Sequence, residues 1–229
     1  MSLLFAGKVD TVSQYTDHSG HANHGIQPTA ANQPTILTGS DSVAINANKG
    51  GSCYDFDGTD DYLYLTNNIN FGGGMTILGW FRMEDYTDYQ QIFSAYNAVS
   101  NDRVNIEFHA FGANTLRFGY CNDGVLHFLS FSAIQAGVWN YFGFTYDGGT
   151  TVTAYLNHDR LPDGTSGPTS VYVAGVNLGC RQDNVNFFKG QMVGIRIYDN
   201  PLSVTKILKQ RIMDLVGMVG IMDLVGMVA

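Results

Sequence analysis

Residues 55–65 alternate between apolar and polar side chains, turn at Asp57-Gly58, and then alternate again. Alternation with a period of two is typical of a strand with one buried face. Asp-Gly between two such runs is a strong signal for a tight turn. The stretch therefore predicts a β-hairpin. The same alternation over residues 104–109 and 152–157 predicts two further half-buried strands.

The composition fits one all-β domain. A chain of 229 residues is large enough for a single well-buried sandwich. Its 27 glycines, 14 Phe and 13 Tyr suit short strands joined by tight turns. The net charge is −8 and the Lys and Arg residues are scattered. The sequence therefore excludes the basic footprint of a nucleic-acid partner or of binding to an anionic membrane.

Five segments carry motifs in a fixed order. They are residues 17–25 (Asp-x-Ser-Gly-x-x-Asn-His-Gly), 55–65, 75–81, 139–148 and 188–203. In this order and spacing they resemble the laminin-G-like branch of the concanavalin A-like lectin/glucanase superfamily, over roughly residues 1–208. The resemblance implies two antiparallel sheets packed face to face in a jelly-roll sandwich. The superfamily includes lectins, glycosidases, adhesion modules and structural parts, so the fold alone selects none of them.

The resemblance divides the chain into a jelly roll at residues 1–211 and a tail at residues 212–229. Within the first, residues 1–50 are expected to form an N-terminal strand, Leu3–Ala6, and a polar arm laid over the sandwich. Ser203 is expected to cap a short helix that ends near Gln210. The basic residues Lys206, Lys209 and Arg211 are then expected near the negative C-terminal end of that helix.

The tail is apolar and contains a nine-residue duplication, Ile212–Gly220 followed by Ile221–Ala229. A nine-residue period puts the two copies on opposite faces of a helix or a strand. Asp214 and Asp223 make it a poor membrane span. We therefore expect the tail to dock on its own domain or on a neighbouring subunit; the alternative is that the duplication arose in cloning.

Hydrolysis of a glycosidic bond needs two carboxyl groups held across the sugar. The chain has only two glutamates, Glu84 and Glu107, and they lie in different segments. The glucanases of the superfamily carry paired glutamates on one strand. We therefore assign no catalytic residue and expect a protein that is not an enzyme, with a glycosidase or lyase as the least favoured alternative.

The histidines His18, His21 and His24 recur every third residue, which superficially resembles a metal site. They lie in a glycine-containing stretch without helical spacing. His24 matches the histidine of the family's Asn-His-Gly motif, and we expect it to anchor the arm by a hydrogen bond. No metal ligand is assigned to the three.

Calcium is the ion that the superfamily binds most often. Family members carry Ile-Asp-Glu-Val after the Phe-x-Gly motif, whereas this chain has Met192–Ile195 without either acid. Asp17, Asp57, Asp60 and Asp61 remain, and each is equally explained as a turn residue. We expect no cofactor and little dependence on calcium.

Cys53, Cys121 and Cys180 are odd in number, far apart, and lack the spacing of a metal site. We expect buried, apolar thiols. Trp80 and Trp139 match tryptophan positions in strands of the family and are expected in the core.

Sugar binding requires exposed aromatic rings with amide, carboxylate or guanidinium groups beside them. The sequence offers Tyr86, Tyr89 and Tyr96 around one strand, and Tyr120, His127, Arg181, Asp183 and Asn184 as residues that could share a rim. In a chain so rich in Phe and Tyr no subset stands out. The binding residues are therefore left unassigned.

The leading hypothesis is a non-catalytic accessory or decoration protein on the surface of a virion or similar assembly, contacting other subunits through residues 212–229. The alternative is a carbohydrate-binding or adhesion module of a bacterial surface or phage tail-fibre protein, with a glycan as its ligand. Residues 1–10 lack the basic region and apolar run of a signal peptide. The expected location is a virion or extracellular surface, reached without the general secretory route.

Overall fold

The protein is described by a computed structural model over residues 10–11, 13–17, 22–38, 52–70, 73–86, 89–97, 103–109, 114–122, 125–165 and 175–215. These residues form two antiparallel β-sheets packed as a sandwich, a short 3-10 helix (Ala30–Asn32), and one α-helix, α1 (Val204–Leu215). The predicted all-β sandwich with a C-terminal helix is confirmed. None of the described helices is long and apolar enough to cross a membrane.

The strands, in chain order, are β1 (Asp10–Thr11), β2 (Gln14–Tyr15), β3 (Gly25–Ile26), β4 (Thr35–Thr38), β5 (Ser52–Asp57), β6 (Leu63–Leu65), β7 (Met75–Met83), β8 (Gln91–Tyr96), β9 (Arg103–His109), β10 (Thr115–Asn122), β11 (Val125–Phe131), β12 (Trp139–Tyr146), β13 (Thr151–Leu156), β14 (Asp159–Arg160), β15 (Gly164–Thr165), β16 (Gly175–Leu178) and β17 (Lys189–Tyr198). One sheet has the order β1-β4-β5-β17-β7-β12-β13-β14, with β15 also beside β13, and contains nine strands. The other has the order β11-β10-β9-β8-β16-β6-β3-β2 and contains eight.

Alternate residues of both sheets point between them and form the main core. On β9, the apolar residues Val104, Ile106 and Phe108 are buried there, as the period of two predicts. Aromatic rings join the sheets: Phe118 of β10 stacks on Phe144 of β12, with 6.1 Å between ring centroids. Such burial supplies most of the stabilisation of a sandwich.

The hairpin predicted at residues 55–65 is wrong. Strand β5 pairs with β4 and β17 in the nine-stranded sheet, whereas β6 pairs with β3 and β16 in the eight-stranded sheet. The turn therefore carries the chain from one sheet to the other. Alternation and an Asp-Gly turn indicate two strands and a reversal, but they do not specify which strands pair.

Side-chain hydrogen bonds shape this crossing. Asp57 Oδ1 accepts from the Thr59 N–H at 2.7 Å, and Asp61 Oδ2 accepts from the Asp57 N–H at 3.0 Å. Gly58 has φ of +80°, a left-handed conformation that glycine adopts without steric cost. Asp61 is only 6% exposed. Its desolvation, together with the like charges of Asp57, Asp60 and Asp55, raises its pKa to about 6.

The turn predicted at residues 146–150 does join a hairpin, β12 to β13. Asp147 Oδ1 accepts from the N–H groups of Gly149 and Thr151 at 2.8 and 2.9 Å. These hydrogen bonds hold the pKa of Asp147 below its usual value despite the opposing effect of desolvation.

The polar N-terminal stretch is part of both sheets rather than an arm laid over them. Strands β2 and β3 extend one edge of the eight-stranded sheet, and β1 and β4 extend the nine-stranded sheet. The predicted strand Leu3–Ala6 lies outside the described residues, as do His18 and His21. The His24 ring forms a hydrogen bond, because the Asp17 N–H donates to its Nδ1 at 3.0 Å, but both residues belong to the N-terminal stretch, so this bond does not anchor that stretch to the rest of the sandwich.

The three cysteines are buried and unpaired, as predicted. Burial raises the pKa of Cys53 and Cys180 to about 12. The tryptophans differ from the prediction in their position: Trp80 is buried, but on the outer face of the nine-stranded sheet, and the half-buried Trp139 packs beside it.

Helix α1 covers that outer face. Ile207 is fully buried among Leu78, Trp80, Tyr141 and Tyr155, and the Tyr141 hydroxyl donates to the Ile207 carbonyl oxygen at 3.2 Å. These residues form a second core, separate from the one between the sheets.

The helix is longer than predicted. The Lys206 N–H donates to Ser203 Oγ at 3.4 Å, which agrees with the predicted cap. The helix continues to Leu215, because residues 211–215 contain no glycine or proline to stop it. None of the basic residues expected at its end lies in the last turn: Lys206 is in the first turn, and Lys209 and Arg211 are in the middle of the helix.

We predict that Ile207→Ala destabilises the fold by about 2–4 kcal/mol, because it leaves a cavity in the second core. Leu208→Ala is the matched control: its side chain is 37% exposed, and the change should cost less than about 0.5 kcal/mol. Urea titration followed by circular dichroism measures both. Equal losses would contradict the docking of α1.

We predict that Asp61→Asn stabilises the protein at pH 7 by on the order of 2 kcal/mol and hardly at all at pH 4. The folded pKa lies above the ordinary value, so the contribution of Asp61 is present below about pH 4 and is lost as the pH rises through about 6. Thermal melts of both proteins across this range test it. A variant less stable than the parent at pH 7 would contradict it.

The same melts in chelator and in millimolar calcium test the expectation of little calcium dependence. A tightly bound ion would raise Tm by several degrees. A shift of that size would mean that other oxygens replace the acids missing at Val193 and Gly194.

Candidate functional site

One group of carboxylates has the spacing of a cation site. The ligand atoms of Asp57, Asp60 and Asp61 lie within 4.8 Å of one another, and no other such group of three occurs among the described residues. Calcium requires six to eight oxygen ligands. Here one oxygen of Asp57 and one of Asp61 already accept backbone N–H groups. The arrangement of these three carboxylates therefore fits a role in the turn between β5 and β6 better than a role as calcium ligands.

The segment in which relatives carry two acids is a β-bulge. The register between β17 and β7 shifts between Val193 and Arg196, and Gly194 has φ of +63°. A Cβ on Gly79 of β7 would overlap the Ile195 side chain, so this glycine permits the close approach. The bulge leaves no side-chain oxygen at residues 193–195.

The two glutamates do not share a strand or a sheet: Glu107 is on a strand of the eight-stranded sheet, whereas Glu84 directly follows a strand of the nine-stranded sheet. Glu84 follows β7 and is exposed, with its Oε2 3.8 Å from Lys189 Nζ. Glu107 is on β9, where it accepts from Arg117 at 2.5 Å and from Gln91 Nε2 at 3.0 Å. This arrangement does not form the same-strand acid pair that retaining or inverting hydrolysis would use.

Polar and small residues line the outer face of the eight-stranded sheet. The strand register places Tyr64, Asn177, Ser94, Asn105 and Gly119 side by side across five neighbouring strands. The residues that flank Ser94 and Asn105 along their strands belong to the core. Because side chains alternate between faces, these polar residues point away from the core.

The loop that follows β16 folds over this face. Gln182 Nε2 donates to the carbonyl oxygens of Ser94 and Gly175, at 3.0 and 2.5 Å, and thereby ties the loop to β8 and β16. Asn177 Nδ2 donates to the Arg181 carbonyl oxygen at 3.3 Å. The loop and the sheet enclose a cleft of about 570 Å³. Its lining residues are Ser94, Tyr96, Arg103, Asn105, Arg181, Gln182 and Asp183.

The cleft presents several kinds of hydrogen-bonding group. Ser94 Oγ donates to Asn105 Oδ1 at 3.3 Å, which leaves Asn105 Nδ2 as a donor for a ligand. Arg181 forms a two-point ion pair with Asp183, at 2.7 and 2.5 Å. This pair holds the pKa of Asp183 below its usual value and raises that of Arg181. Tyr96 adds a half-buried aromatic ring.

A second aromatic surface lies on the same face, on the far side of β9. The ring of Phe128 is 37% exposed and sits over Gly119, where a Cβ would lie 3.0 Å from the ring. The Arg117 guanidinium is 4.1 Å from the ring centroid and also pairs with Glu107. An exposed ring braced in this way can stack on a sugar.

The candidate binding residues identified from the sequence lie in several separate places in the structure. Tyr96, Arg181 and Asp183 line the cleft. Tyr120 is buried toward the main core and stacks on His127, with 5.4 Å between centroids. These two residues do not share a rim with the others.

The remaining candidates also lie away from the cleft lining. Tyr86 and Tyr89 precede β8, at the end of the strand opposite to Tyr96. The Tyr86 hydroxyl donates to the Ile134 carbonyl oxygen at 2.6 Å. Asn184 Nδ2 donates to the hydroxyl of Tyr62 at 3.4 Å.

Sequence reasoning missed Ser94, Arg103, Asn105 and Gln182. Ser94 and Asn105 alternate with apolar neighbours along their strands, which marks them as outward-facing. Nothing in that pattern indicates that β8 and β9 pair with these two residues opposite each other.

Comparisons with known structures show the same architecture. Domain 4 of the extracellular arabinanase AbnA from Geobacillus stearothermophilus, in complex with arabinotriose, has a TM-score of 0.57 at 18% identity, covering 88% of this chain and 98% of that one. A heptameric SAP-like pentraxin from Limulus polyphemus has a TM-score of 0.54 at 15% identity, covering 67% and 78%.

The full-length tailspike protein 2 of the Escherichia coli O157:H7 bacteriophage CAB120 has a TM-score of 0.57 at 12% identity, covering 89% of this chain but only 27% of the tailspike. At these identities the likeness shows the fold alone. A search of curated protein sequences found no match. A sequence model of the concanavalin A-like lectin/glucanases superfamily matches residues 57–208, more than half of the chain. The chain therefore belongs to the concanavalin A-like lectin/glucanases superfamily.

Proposed function

We propose that this protein is a glycan-binding module that holds its ligand in the cleft on the outer face of the eight-stranded sheet. The cleft itself is the observation that carries the proposal. Its volume of about 570 Å³ is that of a small-molecule site. Amide, guanidinium, carboxylate and hydroxyl groups converge there beside the Tyr96 ring. Sugars need this combination, because hydroxyl groups must be hydrogen-bonded while a C–H face stacks on an aromatic ring.

The comparisons support this proposal without deciding it. The structure of the arabinanase domain contains arabinotriose, and almost the whole of that domain aligns with this chain. That ligand belongs to the arabinanase domain, and the shared fold transfers only the expectation that such a sandwich can hold an oligosaccharide.

We further propose that the bound glycan is not cleaved. Glu107 is committed to Arg117 and Gln91, and Glu84 follows a strand of the other sheet. Asp183, the carboxylate that lines the cleft, is held ionised by Arg181 and so is a poor general acid.

A second candidate role is that of an assembly subunit, attached to a virion or similar extracellular particle. The specific observation is an apolar stripe on α1, formed by Val204, Leu208 and Ile212, which are 42%, 37% and 59% exposed. Their spacing of four residues places them on one side of the helix. Residues 216–229 follow the helix in the sequence and are mostly apolar, so they would add apolar surface to such a contact.

We predict that Tyr96→Ala weakens glycan binding roughly tenfold, because it removes a stacking ring. Tyr89→Ala, at the opposite end of β8, is the control and should bind as the parent does. A glycan array identifies the ligand, and titration calorimetry measures both variants against it. If no glycan binds, or if the two variants lose equally, the cleft is not the site.

We predict no release of reducing sugar from any glycan that the array identifies, even after prolonged incubation. The measurement includes Glu107→Gln as a matched variant. Turnover by the parent that disappears in this variant would overturn the non-catalytic assignment.

We predict that replacing both Leu208 and Ile212 by Ser dissociates oligomers while Tm stays within about 2 °C, because both side chains are exposed in the single chain. Truncation after Leu215 should have the same effect, since α1 remains complete. Light scattering after size-exclusion chromatography reports the mass. A parent protein that is monomeric at every concentration would remove the support for this second role.

A further inference from the structure

One guanidinium in the cleft differs from its neighbours. The Nε atoms of Arg103 and Arg117 are both buried without a hydrogen-bond partner among the described residues. Arg103 differs in that no carboxylate among the described residues pairs with its guanidinium. The other two arginines on this part of the sheet each pair with a carboxylate, Arg181 with Asp183 and Arg117 with Glu107. Arg103 lies opposite Tyr96 in the register of β8 and β9, so its side chain shares the cleft with the Tyr96 ring.

The charge of the cleft is opposite in sign to that of the protein. Arg103 and Arg181 contribute two positive charges to the described lining, and Asp183 contributes one negative charge, which leaves an excess of one positive charge. The whole chain carries −8. The neighbouring pair of Arg117 and Glu107 is neutral and does not change this balance.

A guanidinium without a carboxylate partner gains more from an anionic acceptor than from a neutral one. The planar fork of a guanidinium matches a carboxylate, which accepts two parallel hydrogen bonds. The neutral hydroxyl groups of a plain sugar accept more weakly and without this geometry. The unpaired donor therefore favours a ligand that brings its own carboxylate.

We propose that the cleft selects acidic glycans, in which a carboxylate-bearing sugar such as a uronic or sialic acid places its carboxylate on Arg103. The proposal rests on the proposed function, because it specifies the ligand of the same cleft. Asn105 Nδ2 and the Tyr96 ring then contact the remainder of that sugar.

The experiment compares each acidic glycan with the methyl ester of its carboxylates, which removes the charge and keeps every sugar. Trigalacturonate and its trimethyl ester form one pair, and sialyllactose and its methyl ester form the other. Titration calorimetry on the full chain should show the acidic member of at least one pair binding roughly tenfold or more tightly than its neutral partner. Raising NaCl from 50 to 500 mM should reduce that preference.

Variants test whether Arg103 supplies the positive charge that binds the carboxylate. Arg103→Gln should abolish the preference for the acid, and Arg103→Lys should restore only part of it, because the ammonium lacks the fork. Asp183→Asn should strengthen binding of the acidic member several-fold, and more than binding of the neutral member, since Arg181 loses its internal partner. Arg160→Gln is the control: it removes an exposed arginine paired with Asp163 in the nine-stranded sheet. Circular dichroism melts confirm that each variant folds.

The outcomes distinguish failure of the acidic selection from failure of glycan binding by the cleft. If a glycan array shows binding of neutral glycans only, or if Arg103→Gln weakens acidic and neutral ligands equally, the acidic selection is wrong and glycan binding stands. If nothing binds, both fall. A sulfated glycan that binds through Arg103 while every carboxylated one fails also overturns the carboxylate assignment.

Discussion

Burial of both faces of β7 is the constraint on which the rest of the structure depends. Ile77 and Phe81 point into the core between the sheets, while Leu78 and Trp80 point outward and are equally buried. An outward apolar face on a central strand requires a cover, and Ile207 of α1 supplies it. The nine-stranded sheet is therefore closed on both sides over this region. The outer face of the eight-stranded sheet is consequently the broad sheet surface that remains for a ligand, and it is where the polar residues lie.

The polar side chains at the centre of that face are nearly inaccessible to water even without a ligand, and the chain itself supplies their hydrogen-bond partners. Ser94, Asn105 and Asn177 are 1%, 5% and 5% exposed, yet each has a hydrogen-bond partner. Buried polar groups cost free energy unless they are paired. The loop after β16 supplies the partner of Asn177 through the Arg181 carbonyl oxygen, and its Gln182 amide binds backbone carbonyl oxygens of β8 and β16. The loop thus stabilises the face and also determines how much of it stays open as a cleft.

The sequence predicted what depends on local patterns and failed where strand pairing decides. The inward apolar positions of β9, the turn between β12 and β13, and the hydrogen-bonding role of His24 follow from alternation, turn chemistry and a family motif. The hairpin between β5 and β6 failed because a turn signal does not specify the partner strand. The cleft was missed for the same reason: Ser94 and Asn105 are eleven residues apart in sequence, and only the register of β8 and β9 brings them together. The helix end was missed because a segment without glycine or proline gives no stop signal.

The two proposed roles are compatible because they use opposite sides of the sandwich. Helix α1 and its apolar stripe lie over the outer face of the nine-stranded sheet, whereas the cleft lies on the outer face of the eight-stranded sheet. The main core separates them, so contacts made through α1 leave the cleft lining untouched. Subunits attached to a particle through α1 would present their clefts on the side that faces away from the particle. Several weak sites presented together then bind a repetitive glycan far more strongly than one site does, since each binding event after the first is intramolecular. Assembly through the helix would thus raise the avidity of a shallow, polar cleft without any change in its chemistry.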